Sequence, residues 1–504
     1  MLDPSKATGI DSIGPKILRM STDYIFESLT YIINLCISKD IFPEQLKFAK
    51  LIPIHKKEDK DLPNNYRPIS VLPTISKIFE KHISSQITEY FEKNKLFYEF
   101  QSGFRKNHSC STALLRITDI WLREIDSSNM TGVVYLDLSK AFDLIDHRLI
   151  LQKLKLYKFD LKSLKLISSY LEFRKQQVVL GACHSNITDV KCGVPQGSNI
   201  GPLLFLIFIN DLPLHVSKCH TDLFADDSTL HFSSNNIANI EIALQEDLLN
   251  VFNWCNDNGM VINAKKTKAM LIASKHLTNT NSLSLKINGE SLENVSEAVL
   301  LGLTVDQNLD WNLQINKVSK IISSKIYLLT KLKPFLPHHL RILFFNGYIL
   351  PYLDYCSTVW GSANKGKLEV LYKLQKRAAR SILDEKPDSH SAPLFKTLNW
   401  LTIYQRIQYN QGMLTFKILR DKLPSYLYNT FCENSKLTET NMTLRSESQN
   451  KLAIPKSKKK AMTRTFQYTA SVFWNSLPQT VKHASSSFIF KKELVKHVKS
   501  LNSC

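Results

Sequence analysis

The chain is poor in the residues that mark a secreted, membrane-spanning or disordered protein. Its nine cysteines (Cys36, Cys110, Cys183, Cys192, Cys219, Cys255, Cys356, Cys432 and Cys504) are odd in number and include no C-x-x-C pair. That argues against a disulfide framework and a zinc knuckle, and for reduced thiols in an intracellular protein, nuclear or cytoplasmic. Only 15 glycines and 18 prolines in 504 residues, beside 43% hydrophobic residues, exclude a low-complexity chain. The apolar run Leu203–Ile209 stops at Asn210 and Asp211, far short of the roughly 20 residues of a membrane span, so no membrane partner is expected. Met1-Leu2-Asp3-Pro4-Ser5-Lys6 lacks the apolar stretch of a secretory signal. Acid is scarce too. Against 65 Lys and Arg stand 45 Asp and Glu, a formal charge of +20, which points to a polyanionic partner, nucleic acid ahead of a membrane surface.

What is present is a folded chain long enough for two or three domains or subdomains. Pro15 suits the first turn of a helix running through Ile17, Leu18, Ile25, Leu29 and Ile33 to about Ile37. Lys47–Ile54 alternates as a strand, a charged loop follows, and Ile75, Ile78, Phe79, Ile83 and Ile87 space out a helix over 74–92. Residues 130–305 mix strands and helices: a strand ending at Asp137, two helices, a strand pair at 176–192 and a helix at 203–212. A hairpin at 221–232, a helix at 238–257 and strands near 268–273, 283–288 and 298–305 complete that stretch. The pattern predicts an α+β fold, a sheet with helices on one face. After Trp311 the chain turns to long helical stretches, Ile315–Leu332, Leu368–Leu383 and Thr402–Leu419. The expected boundaries are 1–130, 131–310, 311–432, a basic polar linker 433–460 ending in Lys456-Ser457-Lys458-Lys459-Lys460, and a C-terminal segment 461–504. Phe466, Tyr468, Phe473 and Trp474 return in the last of these and are expected to pack.

Five local signatures carry chemistry. Asn65-Tyr66-Arg67-Pro68-Ile69-Ser70 keeps Arg67 extended before a proline, so its guanidinium can grip a triphosphate. Gln101-Ser102-Gly103-Phe104-Arg105-Lys106 is a glycine loop with basic flanks suited to a nucleic-acid backbone. In Tyr135-Leu136-Asp137-Leu138-Ser139-Lys140-Ala141-Phe142-Asp143 a strand-end carboxylate is followed by an aromatic, which by composition alone is core packing. Gly193-Val194-Pro195-Gln196-Gly197-Ser198 allows close backbone approach to a ligand at a strand-to-helix turn. Last comes Phe224-Ala225-Asp226-Asp227 between two strand-like runs, trailed by Ile262-Asn263-Ala264-Lys265-Lys266-Thr267-Lys268. Two adjacent carboxylates at a hairpin tip repel each other unless a cation lies between them. Such hard-oxygen donors suit Mg²⁺, and a nearby lysine can act as general acid.

Each signature alone is a surface arginine, a basic loop or a solvated turn; their order is what resembles a family. The set is similar to the reverse transcriptase of non-LTR (LINE-type) retrotransposons, in the jockey and chicken-repeat style, with 9–310 covering fingers and palm. Leu374-Gln375-Lys376-Arg377-Ala378-Ala379-Arg380 and Trp474-Asn475-Ser476-Leu477-Pro478 resemble the region after the palm. The resemblance implies a right-hand polymerase: fingers (1–130) and a palm with antiparallel sheet and helices (131–310), then a mainly helical thumb (311–432) and C-terminal region. It implies an RNA-directed DNA polymerase acting on an RNA template, a DNA primer or target and dNTPs, with two Mg²⁺ ions (Mn²⁺ as a substitute).

Asp137, Asp226 and Asp227 would be the catalytic carboxylates and, with the carbonyl of Leu138, the metal ligands. Lys266, in preference to Lys265, would be the late lysine. Arg67 with Lys56 or Lys57, Phe142 as a steric gate against the 2′-hydroxyl, Gln196 and Gly197 would bind the nucleotide. Gly103, Arg105 and Lys106 would meet nucleic acid. Relatives of this kind carry an endonuclease before the polymerase, for which this chain has no room, so a truncated copy is expected; no acidic constellation suggests an RNase H. Two alternatives compete: an RNA-dependent RNA polymerase, disfavoured by Phe142, and a catalytically silent RNA-binding scaffold.

Overall fold

A computed structural model of the chain describes residues 2–56, 59–278, 282–433 and 451–501. Lys57 therefore lies outside the described residues, as does 434–450 of the expected linker.

Two five-stranded sheets organise the first 300 residues. In the first, β1 (Ala49–His55) forms an antiparallel hairpin with β2 (Tyr66–Val71), pairing Ile54 with Arg67. On its other side β1 runs parallel to β4 (Arg174–Leu180), which pairs with the short strands β5 (Cys183–His184) and β6 (Thr188–Val190). In the second, β3 (Met130–Leu136) is central, between β8 (Asp227–Ser234) and β9 (Lys268–Ile272). β7 (His220–Phe224) and the short strand Glu293–Asn294 form its edges.

The second sheet is covered on both faces, which corrects the one-faced expectation. Side chains alternate across a strand, so Val134 and Leu136 enter one core with Leu244 and Leu248 of helix Ile237–Asp257. Val133 enters the other with Trp121 of helix Cys110–Asp126. An unbroken apolar strand needs cover on both sides. Gly132 lets the first helix sit close, since a Cβ there would fall inside 3.0 Å of Ile240 and Leu244.

Other departures have local causes. The N-terminal helix is two, Pro15–Met20 and Thr22–Ser38, because the hydroxyls of Ser21 and Thr22 donate to the carbonyls of Ile17 (2.9 Å) and Leu18 (3.0 Å) at the joint. The single strand expected over 298–305 is a hairpin, Glu297–Leu300 and Leu303–Asp306, turning at Leu301 and Gly302, both with positive φ. Helices Asn312–Leu332, Lys365–Leu383 and Ile403–Asp421 follow, and one core cluster runs from Val133 and Met270 through Trp311 to Ile403 and Phe466. Phe416 stacks on Phe490 at 4.1 Å, docking the C-terminal helix Ser487–Ser500.

Lys456–Lys460 has exposed side chains, yet the backbone N–H groups of Lys458, Lys459 and Met462 all donate to the Asp126 carboxylate. Among the described residues no helix is long and apolar enough to cross a membrane.

Candidate active site

The β7–β8 hairpin pairs Phe224 with Asp227 and leaves Ala225 and Asp226 as its two loop residues. β3 and β8 pair in a register that sets Leu136 opposite Ser228. Continued one step, it sets Asp137 opposite Asp227. Three carboxylates thus gather at one end of the central strands, and the charge of Asp226 acts on both of the others. Burial, then the charges of Asp226 and Asp137, push the Asp227 carboxyl up to about 6, although it keeps an exposed edge. Burial also raises Asp137; Lys266 and Lys56 offset that rise and Asp226 adds to it.

Beyond Asp137 the chain makes an antiparallel bridge, Leu138 with Ile262, closed by Ser139 N–H to the Val261 carbonyl and Asn263 N–H to the Asp137 carbonyl. Because N–H and C=O alternate sides along a strand, the Leu138 carbonyl faces away from that bridge, toward the β8 side. Among the described residues no three His, Cys, Asp or Glu side chains converge into a ready-made cation cage. The donor chemistry nonetheless fits a hard cation: Asp137 and Asp227, each raised by burial and by the charge of Asp226, plus the Leu138 carbonyl, which accepts no backbone hydrogen bond among the described residues.

Two lysines border the carboxylates from different elements. Lys266 follows the bridge and is exposed, and its charge acts on Asp137. Lys265 instead lines a cavity with Phe252, Cys255 and Asn256. Lys56 comes from the other sheet, just past β1, where its N–H donates to the Asn65 carbonyl. Ile54 and its partner Arg67 share a face of the β1–β2 hairpin, and Lys56, two residues beyond Ile54, continues that face. Arg67 is exposed, and its side chain has no bonding partner among the described residues.

The loop 193–197 is wedged between the two sheets. Gly193 and Gly197 have φ of +79° and +132°, and a Cβ would strike the Asp143 backbone at the first and the Ser70 carbonyl at the second. Val194 N–H donates to the Phe142 carbonyl (2.9 Å), Ser70 N–H to the Gln196 carbonyl (2.8 Å), and the Gln196 amide to the Asp143 carboxylate (2.9 Å). Phe142 is half-buried, its ring stacked on Phe205 (4.5 Å between centroids) and edge-on to Phe104 (6.4 Å). Phe142, Gln196 and Gly197 are therefore one assembly.

The glycine-loop residues have other tasks. Arg105 is spent internally: its guanidinium donates to both oxygens of Glu92 and to the carbonyls of Tyr98 and Gln101, and it lies over the Phe97 ring. Gly103 is pressed against the Phe224–Ala225 backbone, where a Cβ would fall inside 3.0 Å of the Ala225 nitrogen. Four of the five guanidinium N–H groups of Arg105 are thus engaged within the fold, and Gly103 is buried. Of the three, Lys106 alone is exposed.

Reading by signature also missed a buried support. Asp222 on β7 accepts from Arg116, which lies over Phe100 at 3.5 Å, and meets His231 Nε2 of β8 at 3.0 Å. Thr267 Oγ1 accepts the Asp137 N–H at 3.3 Å. Arg116 and Thr267 reach Asp222 and Asp137 from more than a hundred residues away, and no local pattern announces either bond.

Comparison with known proteins places this geometry. A family model described as "Reverse transcriptase (RNA-dependent DNA polymerase)" matches residues 54–305. The "Probable RNA-directed DNA polymerase from transposon BS" of Drosophila melanogaster is 28% identical over 427 residues, 82% of this chain and 47% of that protein. The "RNA-directed DNA polymerase from mobile element jockey" of the same species is 28% identical over 390 residues, 75% of this chain and 42% of that protein. A "Retrovirus-related Pol polyprotein from type-1 retrotransposable element R1" of Bradysia coprophila is 26% identical over 316 residues, 61% and 30% of the two chains. The chain thus spans less than half the length of these relatives. The matched stretch holds every carboxylate described above and the whole of the loop 193–197, and it covers half of the sequence. By that match, the chain belongs to the reverse transcriptase (RNA-dependent DNA polymerase) family.

Proposed function

We propose that the chain is an RNA-directed DNA polymerase of a non-LTR retrotransposon, extending a DNA primer on an RNA template with dNTPs. The observation that carries this reading is the gathering of Asp137, Asp226 and Asp227 at one sheet end, with Lys56 and Lys266 acting on Asp137 from separate elements. In this reading the β1–β2 sheet serves as fingers, the β3-centred sheet as palm and the helices after 311 as thumb.

Reverse transcriptases use divalent metal ions, and Asp137, Asp226, Asp227 and the Leu138 carbonyl would hold two Mg²⁺ here. Bound there, such ions would activate a primer 3′-hydroxyl and stabilise the pyrophosphate as it leaves. The chain's own residues do the rest. Lys56 and Arg67, on one face of the hairpin, grip the triphosphate, the guanidinium through two oxygens at once. Gln196, tied to Asp143, fixes the wall on which the nucleotide rests, and Gly193 and Gly197 bring that wall close. The exposed edge of Phe142 leaves no room for a 2′-hydroxyl. Lys266 donates a proton toward the departing phosphate. The net charge of +20 holds a template–primer duplex by its phosphates, with Lys106 among the contacts. Such work suits a nuclear or cytoplasmic protein.

The test is primer extension on an RNA template by the purified chain, with and without Mg²⁺. Extension that needs both Mg²⁺ and dNTPs is expected. RNA binding with no extension under any divalent ion would replace the polymerase by a silent RNA-binding scaffold.

A further inference from the structure

The hairpin that carries Asp226 turns at a non-glycine residue in a strained backbone region. Ala225 has φ +57° and is buried, a left-handed conformation that glycine or asparagine adopts far more readily. Only two loop residues link β7 to β8, so the setting of Ala225 governs where Asp226 aims its carboxylate. Something must hold that setting.

What holds it is a saddle from the segment 100–103. Phe100 and Ser102 add themselves to the edge of β7: Leu223 N–H donates to the Phe100 carbonyl (3.1 Å) and Ser102 N–H to the Leu223 carbonyl (2.8 Å). Gln101, between them, is 1% exposed. Its Oε1 accepts two backbone N–H groups, from Gly103 (2.8 Å) and from Ala225 itself (3.0 Å). Gly103 has no Cβ, which is what lets the loop close on Ala225. Ser102 Oγ meets the Tyr426 hydroxyl at 2.9 Å, tying the saddle to helix Ser425–Glu433.

The other end of the Gln101 amide is telling. Two donors facing Oε1 fix the amide's orientation, and Nε2 is left buried without a hydrogen-bond partner among the described residues. A buried donor with no partner is unfavourable. An apolar side chain would avoid it, at the loss of the acceptor that the Ala225 N–H has among the described residues.

We propose that Gln101 is a positioning residue of the nucleotidyl-transfer site: its carbonyl oxygen holds the Ala225 N–H and thereby directs the Asp226 carboxylate toward Asp137. The inference rests on the polymerase reading and gives Gln101 a role in its signature separate from the duplex contact of Lys106. Gln101→Leu removes the acceptor, Gln101→Asn shortens its reach while keeping its polarity, and Gln101→Glu keeps the acceptor oxygens.

The experiment pairs hydrogen exchange of peptides over 220–228 and 130–136 with the kinetics of primer extension. In Gln101→Leu and Gln101→Asn, exchange at the hairpin is expected to rise about tenfold while the β3 peptide is unchanged. The kcat is expected to fall about tenfold to a hundredfold with KM for dNTP within about twofold, and Gln101→Glu to recover most of the hairpin protection. Unchanged exchange in both substituted proteins would overturn the saddle. Lost protection with unaltered kcat, or a raised KM alone, would overturn the positioning role. Wild-type protein that protects its hairpin through Gln101 yet never extends a primer would sink the polymerase reading and leave the saddle standing.

Discussion

The Asp119 carboxylate, fully enclosed in helix Cys110–Asp126, accepts the backbone N–H of Phe466 at 2.7 Å, joining the sheet's covering helix to the C-terminal segment. Gln467 donates to its second oxygen at 2.9 Å. Burial pushes this carboxyl up to about 6, against the lowering effect of Arg123 and both N–H groups; Arg116 and Glu99 line the same cavity. A folded value above the unfolded one of 3.8 means that the native state binds the proton more readily. The stability contributed is complete below about pH 4 and is lost as pH rises through 6, at most about 3 kcal/mol. Asp119→Asn, which removes the charge and keeps an acceptor, should gain on the wild type in urea unfolding as pH is raised from 4.5 to 7.5. Parallel stability curves would show that Asp119 does not titrate in this range.

Asp226→Asn tests the carboxylate assignment directly. The substitution keeps the hairpin's shape and removes one charge, so Mg²⁺-dependent extension is expected to fall by about a thousandfold or more while RNA affinity stays within about twofold. Filter binding and extension on the same preparation separate the two. Synthesis that persists would mean the metal ligands lie elsewhere.

How much of this was legible in the residues differs from place to place. The Asp226-Asp227 hairpin was readable because alternating flanks and a polar tip are local facts, and Asp137 because it ends an apolar run. The hairpin at Leu301-Gly302 passed for one strand although its glycine was in view. Helix Cys110–Asp126 went unread, yet Arg116, Asp119 and Asp126 on it hold β7 and the C-terminal segment. Those partners lie more than a hundred residues away, and no periodicity announces a long-range bond. Gly103 hides a cause of the same kind: a glycine beside basic residues reads as a phosphate path, and the backbone of Ala225 pressing from across the fold is not visible there.

Gly103→Ala puts that cause to the test. A Cβ inside 3.0 Å of a backbone nitrogen cannot be accommodated by a side-chain shift, so a loss of about 1–3 kcal/mol is expected, together with most of the extension activity. Gly347→Ala is the control, because a Cβ there meets nothing within 4 Å and alanine favours a helical backbone by about 0.5–1 kcal/mol. Melting temperatures that move equally would contradict the close approach.

Lys266 and Lys265 are neighbours with different surroundings. Of the two, Lys266 acts on Asp137, while Lys265 belongs to a cavity bordered by Phe252 and Asn256. Lys266→Ala should lower kcat about tenfold to a hundredfold, and Lys265→Ala should change it by no more than about twofold. Equal effects would assign both lysines to duplex binding.

Phe142 packs against the core, and one substitution can separate that from its proposed part as a gate. Its ring stacks on Phe205, so part of its value is packing, and Phe142→Val should cost about 1–3 kcal/mol of stability whatever else it does. Its exposed edge is the part proposed to exclude a 2′-hydroxyl. If so, the preference for dNTP over rNTP, measured as the ratio of kcat/KM values, should drop about tenfold to a hundredfold, because the clash disappears with the ring. Phe205→Leu removes the stacking partner and leaves the ring of Phe142 in place; it should lose comparable stability and keep most of the discrimination. A Phe142→Val protein that melts earlier but discriminates as well as the wild type would reduce Phe142 to core packing and move the gate elsewhere along the wall formed by Gln196 and Gly197.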